Sequence, residues 1–167
     1  MPLDDGMAGD APLIECVVNG RAVRARVSVR QSLVDWLREG LGLTGTHVGC
    51  AHGVCGACHA VVDGRVVRAC LMLAVQADGA QVVTIEHAAS DPRMAALQQA
   101  FVERAALQCG FCTPGMILQA AELLVEDPAP SREVIRNALS GNYCRCTGYH
   151  AIVDAVETAA ARLRGVP

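Results

Sequence analysis

The first half of the chain shows the alternation of apolar and polar positions that is typical of β-strands. Residues Ile14 to Val18 alternate loosely, and Asn19-Gly20 is a strong signal for a two-residue hairpin turn. The residues from Ala22 to Val29 predict a second strand, because valines alternate there with arginines and a serine. A short helix should follow, with Ser32 as its N-cap and Gly40 at its end.

A second hairpin and a final strand follow a glycine-rich loop. The segments Ala60 to Val62 and Arg65 to Arg68 flank Asp63-Gly64, which is another two-residue turn signal. The run VVTIE, which begins at Val82, predicts a last strand. The first half is therefore predicted to be a small, mainly β structure.

The second half changes to the spacing of amphipathic helices. Asp91-Pro92 and Thr113-Pro114 each place a proline in a predicted first helical turn, where proline is favoured. The four predicted helices are MAALQQAFVERAAL after Asp91-Pro92, GMILQAAELLVE after Thr113-Pro114, Ser131 to Ser140-Gly141, and about Tyr149 to Leu163. We therefore predict an α+β chain with a boundary near residues 88–91, and the two helix pairs indicate a four-helix bundle.

Charge and hydropathy argue against two classes of partner. The 167 residues include 14 basic and 17 acidic side chains, a net charge of −3, which gives no basic footprint for nucleic acid and no polybasic membrane anchor. Apolar runs such as Leu71 to Val75 are far shorter than the roughly 20 residues that cross a bilayer, so no membrane insertion is expected. A mean hydropathy of +0.31 predicts that much of the surface meets another subunit.

The nine cysteines indicate metal binding or redox chemistry. The N-terminal segment MPLDDGMAGDAPLIEC has acidic residues and no apolar core of signal-peptide length, so we expect a cytoplasmic protein and not a secreted disulfide scaffold. An odd number of cysteines fits eight metal ligands and one spare thiol. The spare cysteine is Cys16, and its apolar strand pattern predicts a buried free thiol.

The first cysteine set has the order C-x4-C-x2-C-x11-C. Its first three members match the spacing of plant-type 2Fe-2S proteins, and thiolates are the soft, anionic ligands that such a cluster needs. The alternative is a zinc site with four thiolates, although zinc sites usually show paired C-x2-C motifs and only one such motif is present. The four candidate ligands are Cys50, Cys55, Cys58 and Cys70.

Glycines and histidines accompany this first set. A loop that wraps a cluster needs positive φ angles and close backbone approach, which Gly49, Gly53 and Gly56 would permit, so we predict that they help to bind the cofactor. His52 and His59 raise the possibility of a Rieske site, but four cysteines already suffice. We predict that both histidines face solvent or form hydrogen bonds in the loop.

The second cysteine set joins a C-x2-C pair to a C-x-C pair across 31 residues. Thr113 and Thr147 follow the two pairs and are predicted to begin helices, so that free N–H groups and positive helix ends would face an anionic cluster. Spacing alone leaves a zinc site equally open. The candidate ligands are Cys109, Cys112, Cys144 and Cys146.

Three motifs together carry a family resemblance that covers nearly the whole chain. The segments CAHGVCGACHAVVDGRVVRACL, QCGFCTPGM and SGNYCRCTGY, in this order, closely resemble the iron–sulfur part of the xanthine oxidase family of molybdenum hydroxylases. The chain is most similar to the separately encoded small subunits of bacterial members, such as carbon monoxide, nicotine, quinoline and isoquinoline oxidoreductases. One departure is His59, which follows Cys58 where the family often has threonine.

The resemblance implies a fold and a set of site residues. It implies a plant-ferredoxin-like β-grasp domain over residues 11–88, which holds an outer 2Fe-2S cluster on the first cysteine set. It also implies a four-helix bundle domain over residues 89–164, which holds an inner cluster on the second set. Gln108 and Cys146 are implied to contact the pterin of a molybdenum cofactor, and an amide suits that contact because it both donates and accepts hydrogen bonds.

The resemblance also implies function and partners. The chain would be an oxidoreductase subunit without catalytic residues of its own, and it would pass electrons from a molybdenum centre through its clusters. A large subunit would hold the molybdopterin cofactor, in its cytosine dinucleotide form, together with the substrate. An FAD-binding medium subunit or another acceptor would take the electrons, in a hetero-oligomer such as a heterotrimer. The alternatives are a free-standing ferredoxin-like carrier and a zinc-stabilised interaction module.

The remaining distinctive residues are given structural roles. Three aromatic residues are predicted to be packing residues, namely Trp36, Phe101 and Phe111. Tyr143 and Tyr149 flank the last cysteine pair and are expected to shield the cluster. No catalytic role is assigned to the other three histidines, which are His47, His87 and His150.

Overall fold

A computed structural model describes residues 11–166, which form a five-stranded sheet and five α-helices. The strands are β1 Leu13–Val18, β2 Arg21–Arg26, β3 His59–Val62, β4 Arg65–Arg68 and β5 Gln81–Val83. The helices are α1 Leu33–Asp35, α2 Pro92–Glu103, α3 Thr113–Glu126, α4 Arg132–Ala138 and α5 His150–Leu163. The α+β class is confirmed. The expectation about a signal peptide concerns residues that lie largely outside the described range.

The sheet has the strand order β2-β1-β5-β3-β4. Both predicted hairpins form, and the turn residues Asn19-Gly20 and Asp63-Gly64 all have positive φ angles, as a type I′ turn requires. The central strand β5 runs parallel to β1 and antiparallel to β3, and it therefore joins the two hairpins into one sheet. Within residues 11–166, no helix is long and apolar enough to span a membrane.

Two predicted strands are shorter than expected. Strand β2 ends at Arg26 and not at Val29, because its partner strand begins at Leu13, opposite Arg26. Strand β5 ends at Val83, and residues Ile85–Ser90 turn into a 3-10 helix. The N–H of Thr84 donates to the side-chain oxygen of Asn19 at 2.9 Å, so the backbone leaves the ladder at this residue.

The first helix differs from a regular α-helix. Ser32 caps α1 as predicted, since its hydroxyl accepts a hydrogen bond from the Asp35 N–H at 3.1 Å. After one turn the chain continues as a π-helix over Trp36–Gly40, in which the Leu41 N–H bonds to the Trp36 carbonyl at 3.1 Å. The helix ends at Gly40, as the sequence predicts.

The later helices start where their caps predict. Asp91 caps α2 and Ser131 caps α4, each through its own side-chain oxygen. Helix α2 ends at Glu103, four residues before the predicted end, and Ala105 has a φ of 49°. Helix α2 packs on α3 and α5, and α4 packs on the same two helices.

The sheet lies between two hydrophobic clusters. One face, which includes Ile14, Cys16 and Val82, packs on α1 and the π-helix, and the other face contacts the core formed by α2 to α5. Val61 and Val66 are among the sheet residues on the helical side. The two halves are thus packed directly on each other, mainly through α3 against β3 and β4.

Burial tests four of the predicted packing roles. Trp36 and Phe101 are buried, and Cys16 is a buried free thiol, as predicted. Phe111 is 45% exposed, but its ring does pack, because it stacks on the imidazole of His47. It lies in a surface loop next to the cysteines of the second set, where no core surrounds it.

Candidate iron–sulfur centres

The first cysteine set is assembled from one loop and one strand end. Cys50, Cys55 and Cys58 lie in the long connection between the π-helix and β3, and Cys70 follows β4. The thiols stand in two hydrogen-bonded pairs, Cys50 with Cys55 and Cys58 with Cys70. Cys58 is buried and the other three are half-buried.

Backbone N–H groups of the loop point at the sulfur of Cys50. The amides of Val54 and Cys55 both donate to this Sγ at 3.4 Å. Together with the backbone N–H of His52, which has the largest effect, they lower the pKa of the Cys50 thiol to about 6. Burial has the opposite effect on Cys58 and raises its pKa to about 12.

The three predicted loop glycines act in two different ways. Gly53 and Gly56 have φ angles of 79° and 72°, the conformation that the loop was predicted to need. Gly49 does not have a positive φ, so this glycine is needed for a reason other than its backbone conformation. A Cβ at Gly49 would instead lie 3.0 Å from the Cys55 sulfur, so this glycine leaves room for a thiol.

The second cysteine set lies where two helices begin. Cys109 and Cys112 precede α3, whereas Cys144 and Cys146 precede α5. The sulfurs of Cys109 and Cys146 are 3.5 Å apart, and Cys112 is hydrogen-bonded to Cys144. The Cys109–Cys146 pair is exposed, while the Cys112–Cys144 pair is half-buried.

Of the two threonines predicted to begin helices, only Thr113 does so. Thr147 lies three residues before α5, because Tyr149 adopts a left-handed conformation at the N-cap and the chain turns there. The Thr147 hydroxyl and N–H bond to the Cys144 sulfur at 3.1 and 3.4 Å. Burial opposes ionisation of Cys144, but these hydrogen bonds outweigh it and leave the pKa of its thiol below the ordinary value.

Tyr149 has a contact that the sequence did not predict. Its hydroxyl accepts from the Cys144 N–H at 2.8 Å and donates to the Asn142 carbonyl at 2.9 Å, which braces the loop before the last two cysteines. Shielding of the cluster stays a prediction for both tyrosines, and the Tyr143 side chain is 56% exposed. The CRCTGY motif places a tyrosine close to the cysteines in the sequence, but only the folded loop shows which backbone atoms the tyrosine hydroxyl contacts.

The arrangement of the eight thiols fits binuclear iron–sulfur clusters. Each iron of a 2Fe-2S cluster takes two protein thiolates, and both sets present their sulfurs as two pairs. Single zinc sites gather their ligands around one point. Soft thiols with backbone N–H donors are a suitable ligand set for a sulfide-bridged cluster.

Comparison with known proteins identifies both halves. Residues 16–89 match the model of a 2Fe-2S iron-sulfur cluster binding domain, and residues 84–157 match that of a 2Fe-2S binding domain. The gamma subunit of caffeine dehydrogenase from Pseudomonas sp. (strain CBB1) is 50% identical over 149 residues, which are 87% of this chain and 89% of that subunit. The nicotine 6-hydroxylase small subunit of Paenarthrobacter nicotinovorans is 49% identical, with 90% of each chain covered.

Solved structures agree with these relatives. Quinoline 2-oxidoreductase from Pseudomonas putida 86 superposes with a TM-score of 0.86 and 46% identity, over 94% of this chain and 99% of that one. This chain belongs to the xanthine oxidase family of molybdenum hydroxylases. It is an electron-transferring iron–sulfur small subunit of that family, and the two domain matches support iron–sulfur clusters in both halves over the zinc alternative.

The family's longer members include this unit within one chain. The aldehyde oxidoreductase from Desulfovibrio gigas matches with a TM-score of 0.85 and 45% identity, over 92% of this chain but only 17% of that chain. The predicted cofactor-contacting residue Gln108 is exposed directly before Cys109. Gln108 and the exposed Cys109–Cys146 pair therefore lie at the surface of this small subunit.

Proposed function

We propose that this chain passes electrons from a molybdenum centre in a large partner subunit to an FAD-binding medium subunit or another acceptor. Each 2Fe-2S cluster, when bound, supplies a site that gains and loses one electron. The chain itself contributes thiolates, amide donors and burial, and it has no catalytic residue. The observation that carries the proposal is the hydrogen bond from the Tyr143 N–H to the Cys55 carbonyl at 2.9 Å, which joins the two cysteine loops.

We assign the eight paired cysteines as the ligands. Cys50, Cys55, Cys58 and Cys70 would hold the outer cluster, and Cys109, Cys112, Cys144 and Cys146 the inner one. The support is that each set combines two thiol pairs with backbone donors to one of its sulfurs. Gly49, Gly53 and Gly56 would let the outer loop close around its cluster.

The exposed end of the second set would face the molybdenum cofactor. Gln108 and Cys146 would contact the pterin, and an exposed amide beside an exposed thiol pair supports this because both are accessible to a neighbouring subunit. The family resemblance supports the cytosine dinucleotide form of that cofactor. In this arrangement the large subunit carries the substrate and all of the bond-making chemistry.

We infer a division into a β-grasp domain over residues 11–88 and a four-helix bundle over residues 89–164. The support is the separate hydrophobic cluster of each half and the packing of α2 and α4 against both α3 and α5. The nine cysteines form no disulfide in the described residues, which fits a reducing compartment, and we propose the cytoplasm. Relatives described as small or gamma subunits support a hetero-oligomer, such as a heterotrimer.

Metal analysis of purified complexes tests this function directly. The parent complex should contain iron and acid-labile sulfide for two 2Fe-2S clusters, together with a molybdenum-containing large subunit. Cys112→Ser should remove iron from the inner cluster only and stop reduction of the outer cluster by substrate. Cys16→Ala is the matched control, because Cys16 is a buried thiol of strand β1 that belongs to neither cysteine set, so its removal should leave the iron content unchanged. Iron for a single cluster in the parent complex would contradict the proposal.

A further inference from the structure

A buried polar pair lies between the two cysteine sets. His59 directly follows Cys58 at the start of β3, and Asn142 lies two residues before Cys144. The side chains are only 4% and 1% exposed, and Nδ1 of His59 is 3.3 Å from Nδ2 of Asn142. Buried polar groups are normally hydrogen-bonded, and this hydrogen bond is a directional contact across the interface.

The Asn142 amide nitrogen has two acceptors, whereas its buried Oδ1 has no hydrogen-bond partner among the described residues. The Asn142 amide also donates from Nδ2 to the Gly56 carbonyl at 3.3 Å, so it reaches the loop between Cys55 and Cys58. With Nδ1 of His59 accepting from Asn142, the ring proton is on Nε2. The backbone of Gly115, in the first turn of α3, hydrogen-bonds the same ring. His59 therefore contacts Gly115, which follows Cys112, and Asn142, which precedes Cys144.

Arg68 adds a second contact beside this pair. It lies opposite His59 in the β3–β4 ladder, and its Nη2 donates to the Gly141 carbonyl at 3.2 Å. Two neighbouring strand residues thus hold the consecutive residues Gly141 and Asn142. We call these four residues, His59, Arg68, Gly141 and Asn142, the His59–Asn142 network.

The backbones around the network are too close to slide past each other. A Cβ on Gly115 would lie 2.2 Å from the Gly56 carbonyl oxygen, and a Cβ on Gly56 would lie 2.6 Å from the Gly141 carbonyl oxygen. Hydrogen bonds from His59 and Asn142 fix the register of these contacting segments. An apolar contact of the same size would hold the halves together without specifying that register.

We propose that His59 and Asn142 are positioning residues that hold the two cluster-binding loops at one separation, and so fix the electron-transfer distance between the clusters. This inference rests on the proposed function, because it requires both clusters to be present. The network is adjacent in sequence to a candidate ligand of each cluster, so any loosening is transmitted to Cys58 on one side and Cys144 on the other. Electron transfer by tunnelling weakens steeply with distance, and a variable separation would slow it.

The test uses the purified complex, fully reduced, with electron paramagnetic resonance of its two clusters. The magnetic interaction between them, measured as splitting or enhanced relaxation, reports their separation. His59→Ala and Asn142→Ala should retain iron for both clusters but lose the single, well-defined interaction of the parent. His59→Gln should restore it, since its amide can accept from Asn142 and donate to the Gly115 carbonyl. His87→Ala, outside the network, is the matched control and should match the parent.

The outcomes separate this inference from the proposed function. An interaction in both alanine variants equal to that of the parent would overturn the positioning role. The same holds if the parent shows no interaction, or if both alanine variants lose a cluster, because the network would then serve assembly and not spacing. A parent complex without iron for two clusters would instead contradict the proposed function itself.

Discussion

The imidazole of His47 stacks on the ring of Phe111, with ring centroids 4.7 Å apart and planes 17° from parallel. Nδ1 of His47 also donates a hydrogen bond to the Phe111 carbonyl at 2.7 Å. His47 precedes Cys50 by three residues, and Phe111 lies between Cys109 and Cys112. This pair is therefore a further contact between the two cysteine loops, separate from the Tyr143–Cys55 hydrogen bond and from the His59–Asn142 network.

Removal of this stack should destabilise the contact between the loops. His47→Ala loses both the ring contact and the hydrogen bond, and because Phe111 is partly exposed we expect a loss of about 1 kcal/mol. His47→Phe keeps the stack and loses only the hydrogen bond, so its stability should lie between those of the parent and His47→Ala. Denaturant unfolding of the iron-loaded protein measures both. Equal stability of all three proteins would mean that the stack contributes nothing.

The Asp91 cap should make the stability of α2 depend on pH. Burial raises the pKa of this carboxyl, but hydrogen bonds from the Arg93 side chain and from the Met94 and Arg93 N–H groups outweigh it, so the pKa lies below its ordinary value. The stabilisation is then present above the unfolded pKa of roughly 4 and is lost as the pH falls through the lower folded value.

Two substitutions at Asp91 separate the cap from its charge. Asp91→Ala should cost about 1 kcal/mol at neutral pH, because the two N–H groups lose their acceptor. Asp91→Asn keeps an uncharged acceptor, so it should cost less and should flatten the acidic limb of the stability profile. Thermal unfolding of the parent and the two variants, at neutral pH and at several pH values below 6, measures the loss of stability and the acidic limb. An unchanged acidic limb in Asp91→Asn would show that other carboxyl groups cause it.

Local signals in the sequence predicted most of the elements. These signals act within a few residues, so their effects can be predicted from the sequence. They are the turn dipeptides Asn19-Gly20 and Asp63-Gly64 and the N-caps Ser32, Asp91 and Ser131. The ends of strands were harder, because they depend on where the partner strand starts. The π-helix after α1 likewise depends on tertiary packing, since Trp36 and Leu37 are both buried against the sheet.

The candidate site likewise has features that the sequence predicts and features that depend on the folded structure. Cysteine spacing identified the ligand candidates, because a cluster constrains residues that are near each other in the chain. Phe111 contacts His47 across 64 positions of the chain, and Asn142 contacts His59 across 83. No local sequence pattern predicts contacts between residues so far apart. The prediction for Thr147 was wrong for a related reason, since the left-handed Tyr149 delays the start of α5.

The close approach of the two halves can be measured at Gly56. Gly56 and Gly64 both have left-handed φ angles, so an alanine at either position should cost about 1–2 kcal/mol in backbone strain. In the described part of the chain a Cβ at Gly64 meets nothing within 4 Å, whereas a Cβ at Gly56 meets the Gly141 carbonyl at 2.6 Å. Gly56→Ala should therefore be clearly less stable than Gly64→Ala in thermal unfolding. Equal losses of stability in the two variants would mean that the interface at Gly56 accommodates the added Cβ without a further loss of stability.

The hydroxyl of Tyr149 should control how tightly the inner cluster is held. Tyr149→Phe removes the acceptor of the Cys144 N–H and the donor to the Asn142 carbonyl, and loss of these partly buried hydrogen bonds should cost about 1–3 kcal/mol. Because Cys144 is a candidate ligand of the inner cluster only, iron should leave that cluster faster in the presence of a chelator, while the outer cluster is retained at the parent rate. Tyr143→Phe is the matched control, since the Tyr143 side chain is largely exposed and its loop contact is made by the backbone N–H. The two clusters can be followed separately by their paramagnetic resonance signals during chelation. Equal rates of iron loss in Tyr149→Phe and Tyr143→Phe would show that the hydroxyl does not hold the Cys144 loop.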